Sequence, residues 1–239
     1  MKKKKDWSSR LDMTQYNGAK LQDIHGPFLR KFYRIAGIYI AEKINKHTSI
    51  TPNQITLFSF FLALLASYFI YIGKYPYLIF SSFLIVLAHV LDYADGSLAR
   101  IKGTSNTFGR WLDMFTDQFA LVILFYAAIM SVFRDTGNYV VLVYGPLGLI
   151  ASLIISLIYS TFLRLHSEGL DEIENEKKKS RFLTNFYYTE FLIFLLFALA
   201  CLFNMINEYL IFCAVYGWIF LIVVFVKLSI KAYNLRRPG

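Results

Sequence analysis

The chain has 239 residues, of which 56% are hydrophobic, 18% are aromatic and only 17% are charged. This composition is too apolar for a soluble protein of that length. The two cysteines, Cys201 and Cys213, lie inside apolar runs, which argues against a secreted fold built on disulfides. The net charge of +9 fits either a nucleic-acid partner or an anionic membrane surface, so the positions of the basic residues must decide.

Six apolar stretches are long enough to cross a membrane as helices, because a hydrocarbon core of about 30 Å takes roughly 20 helical residues. The predicted spans are Gln54 to Gly73, Tyr75 to about Ala99, Gly109 to Phe133, Tyr139 to Leu163, Thr184 to Asn207 and Tyr209 to Val226. The expected fold is therefore an all-α integral membrane protein with six transmembrane helices.

The basic residues lie almost entirely on one side of these spans. Of the 25 Lys and Arg residues, only Lys74 and Arg134 fall on the other side. The positive-inside rule therefore predicts a protein of the inner cell membrane with both termini in the cytoplasm, and no nucleic-acid partner is expected. The predicted parts are a cytoplasmic segment (1–50), a six-helix transmembrane domain (51–230) and a cytoplasmic tail (231–239).

An amphipathic helix is predicted before the first span, over about residues 26–47. Its apolar stripe, at helical spacing, consists of Phe28, Phe32, Ile35 and Tyr39. Because the rest of the helix is largely cationic, it is suited to the headgroup region of the inner leaflet. The alternative is that the helix packs on the protein itself.

Four aspartates lie near the ends of two predicted spans, where charged side chains are rare. Asp92 and Asp95 lie near the end of the second span, and Asp113 and Asp117 lie near the start of the third. At about 100° per residue, each pair occupies one helical face, and a loop over about 101–108 lets the two faces meet. Small residues share these faces, namely Gly96, Ala99 and Gly109.

Clustered carboxylates in a membrane require compensation, because each aspartate costs about 2.5 to 3.5 kcal/mol at mid-membrane. Protons would neutralise them, but acceptor-only groups on facing helices better suit one or two hard divalent cations with oxygen ligands, such as Mg²⁺ or Mn²⁺. A transporter that conducts a cation or protons along these acids is the competing interpretation.

The spacing of these residues resembles the complete signature of the CDP-alcohol phosphotransferase family. The pattern reads Asp92-x-x-Asp95-Gly96-x-x-Ala99-Arg100, then eight residues, then Gly109-x-x-x-Asp113-x-x-x-Asp117. All eight fixed positions match. The resemblance implies a membrane enzyme of phospholipid synthesis that transfers a substituted phosphate from a CDP-linked alcohol to a hydroxyl acceptor and releases CMP. It also implies a homodimer.

The resemblance further implies a role for each matching residue. Asp92, Asp95 and Asp113 would be the principal metal ligands. Asp117 would be the general base and a further metal contact. The nucleotide and phosphate would be bound by Asp92, Gly96, Ala99, Arg100 and Gly109.

Several residues outside the signature are further candidates for the site. Thr51 is predicted to cap the first span, and Asn53 and Thr56 after it are similar to the family's nucleotide contacts. Glu190 and Tyr187, at the start of the fifth span, are candidates for an acceptor pocket, with snorkelling to the interface as the alternative for Glu190. His89 is a possible partner of the metal ligands, although packing is the commoner role for a lone histidine.

Two substrate assignments stay open at this point. In one, CDP-diacylglycerol or a similar CDP-lipid donates to a soluble alcohol such as serine, inositol phosphate or glycerol phosphate. In the other, a soluble CDP-aminoalcohol or CDP-polyol donates to a lipid or another alcohol. A short six-span chain resembles the first group, but Gln118 stands where several inositol-phosphate and glycerol-phosphate enzymes carry a basic residue.

Overall fold

The structure, a computed structural model, describes residues 28–167 and 190–235, and the regular secondary structure in these ranges is entirely α-helical. The helices of the described ranges are α1 (Phe28–His47), α2 (Pro52–Ile72), α3 (Tyr75–Ile101), α4 (Thr107–Thr136), α5 (Val141–Ser167), α6 (Glu190–Leu202) and α7 (Ile206–Leu235). Five of them, α2 to α5 and α7, contain stretches long and apolar enough to span a membrane. The prediction of an all-α integral membrane protein is confirmed.

The predicted span Thr184 to Asn207 is described only from its seventh residue, Glu190, because residues 168–189 lie outside the described ranges. Its described part is the apolar helix α6, which ends at Leu202. A positive-φ residue, Asn204, then turns the chain into α7. The described residues therefore account for five of the six predicted spans in full and for the second part of the remaining one.

Side-chain caps mark the starts of two helices, and the predicted cap at Thr51 is confirmed. The Thr51 hydroxyl accepts a hydrogen bond from the Gln54 N–H, and the Gln54 side chain accepts one from the Thr51 N–H, so α2 begins at Pro52. The Asn106 side chain accepts a hydrogen bond from the Gly109 N–H at 2.7 Å, so α4 begins at Thr107. The connection between α3 and α4 is therefore residues 102–106, shorter than predicted.

Helix α2 lies against both helices that carry the aspartates. It packs along both α3 and α4, whereas α3 and α4 approach each other less closely. Small side chains allow the close contact of α2 with α3, where the buried Ser81 hydroxyl donates to the Ala66 carbonyl at 3.1 Å. The space that remains between α3 and α4 is available for polar side chains and for a ligand.

Helix α1 packs on α3 through one face and exposes another. Tyr33 and Ala41 are buried, and a Cβ atom on Gly37 would lie only 2.7 Å from the Tyr93 Cβ, so the two helices touch through glycine. On the outer face, Ile35 is 49% exposed and Tyr39 is 57% exposed. The helix thus packs on the protein through one face, as the alternative prediction held, and also exposes Ile35 and Tyr39 of the predicted stripe. The side chains of Phe28 and Phe32 lie outside the described set.

The half of the bundle away from the aspartates is closed by aromatic packing. Phe125 of α4 and Phe197 of α6 are fully buried, and the Phe197 ring stacks on Tyr209 of α7 at 4.7 Å. Helices α5 and α7 pack against each other at Gly148, where an added Cβ would lie 3.0 Å from the Ala214 backbone nitrogen. The acidic groups lie at the opposite end of α3 and α4.

Candidate active site

Three aspartates converge where α3 ends and α4 begins, which we call the acidic end of the bundle. Asp92 and Asp95 lie in the last three turns of α3, and Asp113 lies in the second turn of α4. One carboxylate oxygen of each residue lies within 4.8 Å of the other two. The two faces that carry these acids therefore meet across the gap between the helices.

Asp117 lies one turn further along α4. It is half-buried and lines a cavity together with Asp92. The negative charges of Asp117, Asp113 and Asp95 all act on the carboxylate of Asp92. Four like charges in a partly desolvated space repel one another, so the site favours a positively charged ligand.

Asp95 is 4% exposed and is held by groups from two helices. The Thr56 hydroxyl of α2 donates a hydrogen bond to its carboxylate. The Gly96 N–H donates another, and the positive charge of Arg100 attracts the same carboxylate. Thr56, which the sequence singles out as a possible nucleotide contact, therefore lies directly against the acids.

The first turns of α2 and α4 lie side by side at the acidic end. A Cβ atom on Gly109 would lie 3.3 Å from the Asn53 Oδ1 and 3.5 Å from the Asn106 Oδ1. Asn53 and Gly109, both predicted nucleotide contacts, are therefore neighbours. Asn106 is absent from the predicted site, although an asparagine just before a helix is a readable capping signal.

Arg100 lies beside Gly96 on the surface of α3. A Cβ atom on Gly96 would be 3.6 Å from the Arg100 Nη1, and the Arg100 Nη2 donates to the Ser97 hydroxyl at 3.3 Å. Arg100 is exposed and Ala99 is half-buried. The guanidinium thus stays close to the acids while remaining accessible, which suits the recognition of a phosphate.

The carboxylate cluster fits a divalent cation. Oxygen ligands at about 2.1 Å from one octahedral ion lie about 3 to 4 Å apart, and three oxygens within 4.8 Å of one another need only small shifts to reach that spacing. The donors are all carboxylate oxygens, which hard cations prefer. Asp92, Asp95 and Asp113 are the residues that would hold the ion, and Asp117 lies next to them.

A cavity that opens to solvent adjoins Asp92 and Asp117, and the space it shares with that solvent is about 390 Å³. Helices α2, α3, α4 and α6 all contribute to its wall, and α6 does so through Phe194. His89, for which packing is the expected role, also lines this cavity. The sequence pattern of any one helix does not reveal this cavity, because the cavity wall is formed by the packing of four helices.

The acceptor pocket predicted at Glu190 and Tyr187 lies outside the part of the chain whose side chains the structure describes, and it stays a prediction. Glu190 begins α6, one turn before Phe194. Gln118, next to Asp117, donates a hydrogen bond from Nε2 to the Ser156 hydroxyl at 2.9 Å. This contact links α4 to α5 beside the site.

The chain is similar to known proteins over the region that contains the site. The family model for CDP-alcohol phosphatidyltransferase matches residues 49–228. An uncharacterized protein of Aquifex aeolicus is 38% identical over 79 residues, which are 33% of this chain and 39% of that protein. The archaetidylinositol phosphate synthase of Pyrococcus horikoshii is 35% identical over 95 residues, which are 39% of this chain and 49% of the synthase.

The chain therefore spans about half or less of the length of these curated relatives. The family match is broader, because it extends from the residues just before α2 into α7 and includes every aspartate of the acidic end. Because this match covers most of the chain and agrees with the signature, the chain belongs to the CDP-alcohol phosphatidyltransferase family.

Proposed function

We propose that this protein transfers a substituted phosphate group from a CDP-linked alcohol to the hydroxyl of an alcohol acceptor and releases CMP. The observation that carries the proposal is the convergence of the Asp92, Asp95 and Asp113 carboxylates within 4.8 Å. A CDP-linked donor brings a diphosphate, and a divalent cation held by carboxylates binds both this group and the charge that develops during transfer. Mg²⁺ and Mn²⁺, as one ion or two, suit these ligands.

The donor would bind across the acidic end. Asn53 and Gly109 are neighbours on α2 and α4, and the space that a Cβ would fill at Gly109 lets a ligand approach the backbone. Gly96 and Ala99 complete the surface around the nucleotide, and the buried Thr56 supports it from behind through its hydrogen bond to Asp95. Arg100 is exposed beside the acids and would pair with a phosphate oxygen.

Asp117 would act as the general base. It lines the cavity next to Asp92, where an acceptor hydroxyl has access. As the acceptor oxygen forms a bond to the phosphorus next to the donor alcohol, the bond from that phosphorus to the CMP oxygen breaks. The hydroxyl proton passes to the Asp117 carboxylate, and CMP carries away the electron pair of the broken bond.

A CDP-lipid donor with a soluble acceptor is the substrate pair that we favour. Support comes from the Pyrococcus horikoshii relative, which is named archaetidylinositol phosphate synthase. The reverse assignment, a soluble CDP-alcohol with a lipid acceptor, uses the same chemistry. We also infer a homodimer in the inner cell membrane with both termini in the cytoplasm, which the resemblance and the distribution of Lys and Arg support.

The test is CMP release by the purified protein in detergent or liposomes. CDP-diacylglycerol is offered with serine, inositol phosphate or glycerol phosphate, and CDP-aminoalcohols are offered with diacylglycerol. We expect release with at least one pair, its loss on chelation of divalent cations, and its loss in Asp117→Asn with donor binding retained. Asp135→Asn, at the exposed far end of α4, is the matched control and should remain active. No release with any pair would favour the transporter interpretation.

A further inference from the structure

The cavity beside the acids extends from them toward the middle of the bundle. On α3 it is lined by Ala88 and Ile85, which precede Asp92, and on α4 by Ala120 and Leu124, which follow Asp117. The proposed nucleotide contacts Asn53 and Gly109 lie in the first turns of α2 and α4 instead. A group in this cavity would therefore approach the acids from the side opposite to the nucleotide.

The chemistry of the wall disfavours an anionic occupant. Apart from the acids, the wall consists mainly of alanine and larger apolar side chains, and the described residues that line it include no Lys or Arg. A phosphate or carboxylate placed there would be desolvated without a positive partner, which is unfavourable. Small residues such as Ala63 and Ala88 leave room for an uncharged group.

His89 is held in this wall by three aromatic rings. The ring of Tyr33 lies 5.5 Å from the imidazole, that of Tyr93 lies 5.2 Å away and that of Phe194 lies 5.3 Å away, measured between centroids. These rings come from α1, α3 and α6. Because the contacts come from three helices, they fix the orientation of the imidazole more firmly than packing within one helix would.

The other polar side chains of the wall are already engaged or are acceptors. The Ser59 hydroxyl donates to the Thr56 carbonyl at 2.8 Å, and the Thr116 hydroxyl donates to the Leu112 carbonyl at 3.0 Å. Ionised aspartates accept hydrogen bonds but donate none. Among the described residues that line the cavity, His89 alone has a nitrogen in its side chain.

We propose that this cavity binds the uncharged, oxygen-bearing part of one substrate, and that His89 is a specificity-determining residue that donates a hydrogen bond to that oxygen. The inference deepens the proposed function and depends on it. The oxygen is a hydroxyl, ether or ester oxygen close to the transferred phosphate. It belongs either to the acceptor alcohol or to the glycerol part of a lipid donor.

The experiment measures KM separately for the donor and for the acceptor, with the pair that gives the fastest CMP release by the wild type. His89→Phe keeps an aromatic ring in the wall but removes the N–H, and His89→Gln keeps an N–H. Loss of one neutral hydrogen bond corresponds to about a 10-fold rise in KM. We expect this rise in His89→Phe for one substrate only, with substantial recovery in His89→Gln. The substrate whose KM rises is the one that occupies the cavity.

Two further variants guard against a purely structural effect. Ala88→Val narrows the same cavity but leaves the His89 side chain in place, and it should raise the KM of the same substrate. Tyr209→Phe removes a buried hydrogen bond to the Ile193 carbonyl outside the cavity, and it should leave both KM values within twofold of the wild type. If His89→Phe does not fold, Ala88→Val and His89→Gln still report on the cavity.

Three outcomes would count against the inference. Unchanged KM values for both substrates in His89→Phe would overturn it, and so would a fall in kcat alone with lowered thermal stability. A rise in KM for different substrates in His89→Phe and Ala88→Val would also overturn it. In each case the wild type still releases CMP, so the proposed function stands. Absence of CMP release by the wild type with every pair would instead overturn the proposed function, and the inference with it.

Discussion

The Thr56 hydroxyl donates a hydrogen bond to the buried carboxylate of Asp95, which ties the first turns of α2 to the acid-bearing end of α3. The two residues are separated by 39 positions in the chain. Helix α2 also reaches α4 at this level, where Asn53 lies close to Gly109. One helix therefore sets the distance between the other two.

Removal of the Thr56 hydroxyl should destabilise the protein. Thr56→Val keeps the size of the side chain but leaves the Asp95 carboxylate without one of its donors, which costs about 1–3 kcal/mol in the free energy of unfolding. The measurement is unfolding in detergent followed by circular dichroism. Thr56→Ser keeps the hydroxyl and should stay within about 0.5 kcal/mol of the wild type. Equal stability of Thr56→Val and the wild type would contradict the importance of this contact.

Neutralisation of one carboxylate should stabilise the metal-free protein. Asp92→Asn removes a charge that Asp117, Asp113 and Asp95 repel, so its Tm in chelator should exceed that of the wild type. Added Mg²⁺ should raise the Tm of the wild type and have little effect on the variant, because a ligand stabilises only the state that binds it.

The control for this charge effect is Asp135→Asn at the other end of α4, which should leave both the Tm in chelator and the response to Mg²⁺ unchanged. An equal response to Mg²⁺ in Asp92→Asn and the wild type would argue against metal binding at the acidic end.

An added methyl group at Gly109 should weaken donor binding. Gly109→Ala places a Cβ 3.3 Å from the Asn53 Oδ1, so Asn53 must shift at the proposed nucleotide site. Overpacking of about 1.4 kcal/mol corresponds to about a tenfold rise in the KM of the CDP-linked donor. Gly96→Ala is the matched comparison, because its Cβ meets only the flexible end of Arg100, at 3.6 Å, and its effect on KM should be smaller. The reverse order in steady-state kinetics would contradict this assignment.

The contact of α1 with α3 should not tolerate a side chain at Gly37. In Gly37→Ala the new Cβ would lie 2.7 Å from the Tyr93 Cβ and 2.9 Å from its backbone carbon, so α1 must move. We expect a loss of about 1–3 kcal/mol in the free energy of unfolding. Ile35→Ala, on the exposed face of the same helix, should have a much smaller effect. Unchanged stability of Gly37→Ala would mean that α1 does not pack on α3 in solution.

The signature aspartates were predictable because helical spacing alone decides which residues share a face. Asp92 and Asp95 must lie on one side of α3. Because the connection is short, α4 must run back along the bundle, with its first turns near the end of α3. The length of the apolar stretches identified the spans for a similar reason. Both properties are local in the sequence.

Properties that depend on the packing of distant segments could not be predicted. The exposed stripe of α1 was readable, but hydropathy does not separate a residue that faces headgroups from one that faces α3, so Tyr33 was missed as a packing residue. The cavity wall joins His89 to Phe194 of α6, which is far away in the chain. Only the assembled bundle brings such residues together.

The connection between α3 and α4, residues 102–106, has a consequence for how the protein is made. Helix α2 and both acid-bearing helices are synthesised before α5, α6 and α7. Contacts between elements that are close in the chain form early, because little loop entropy must be lost to bring them together. The acid-bearing faces of α3 and α4 are therefore expected to meet before the contacts with the later helices form, and a divalent cation would reduce the repulsion between their carboxylates.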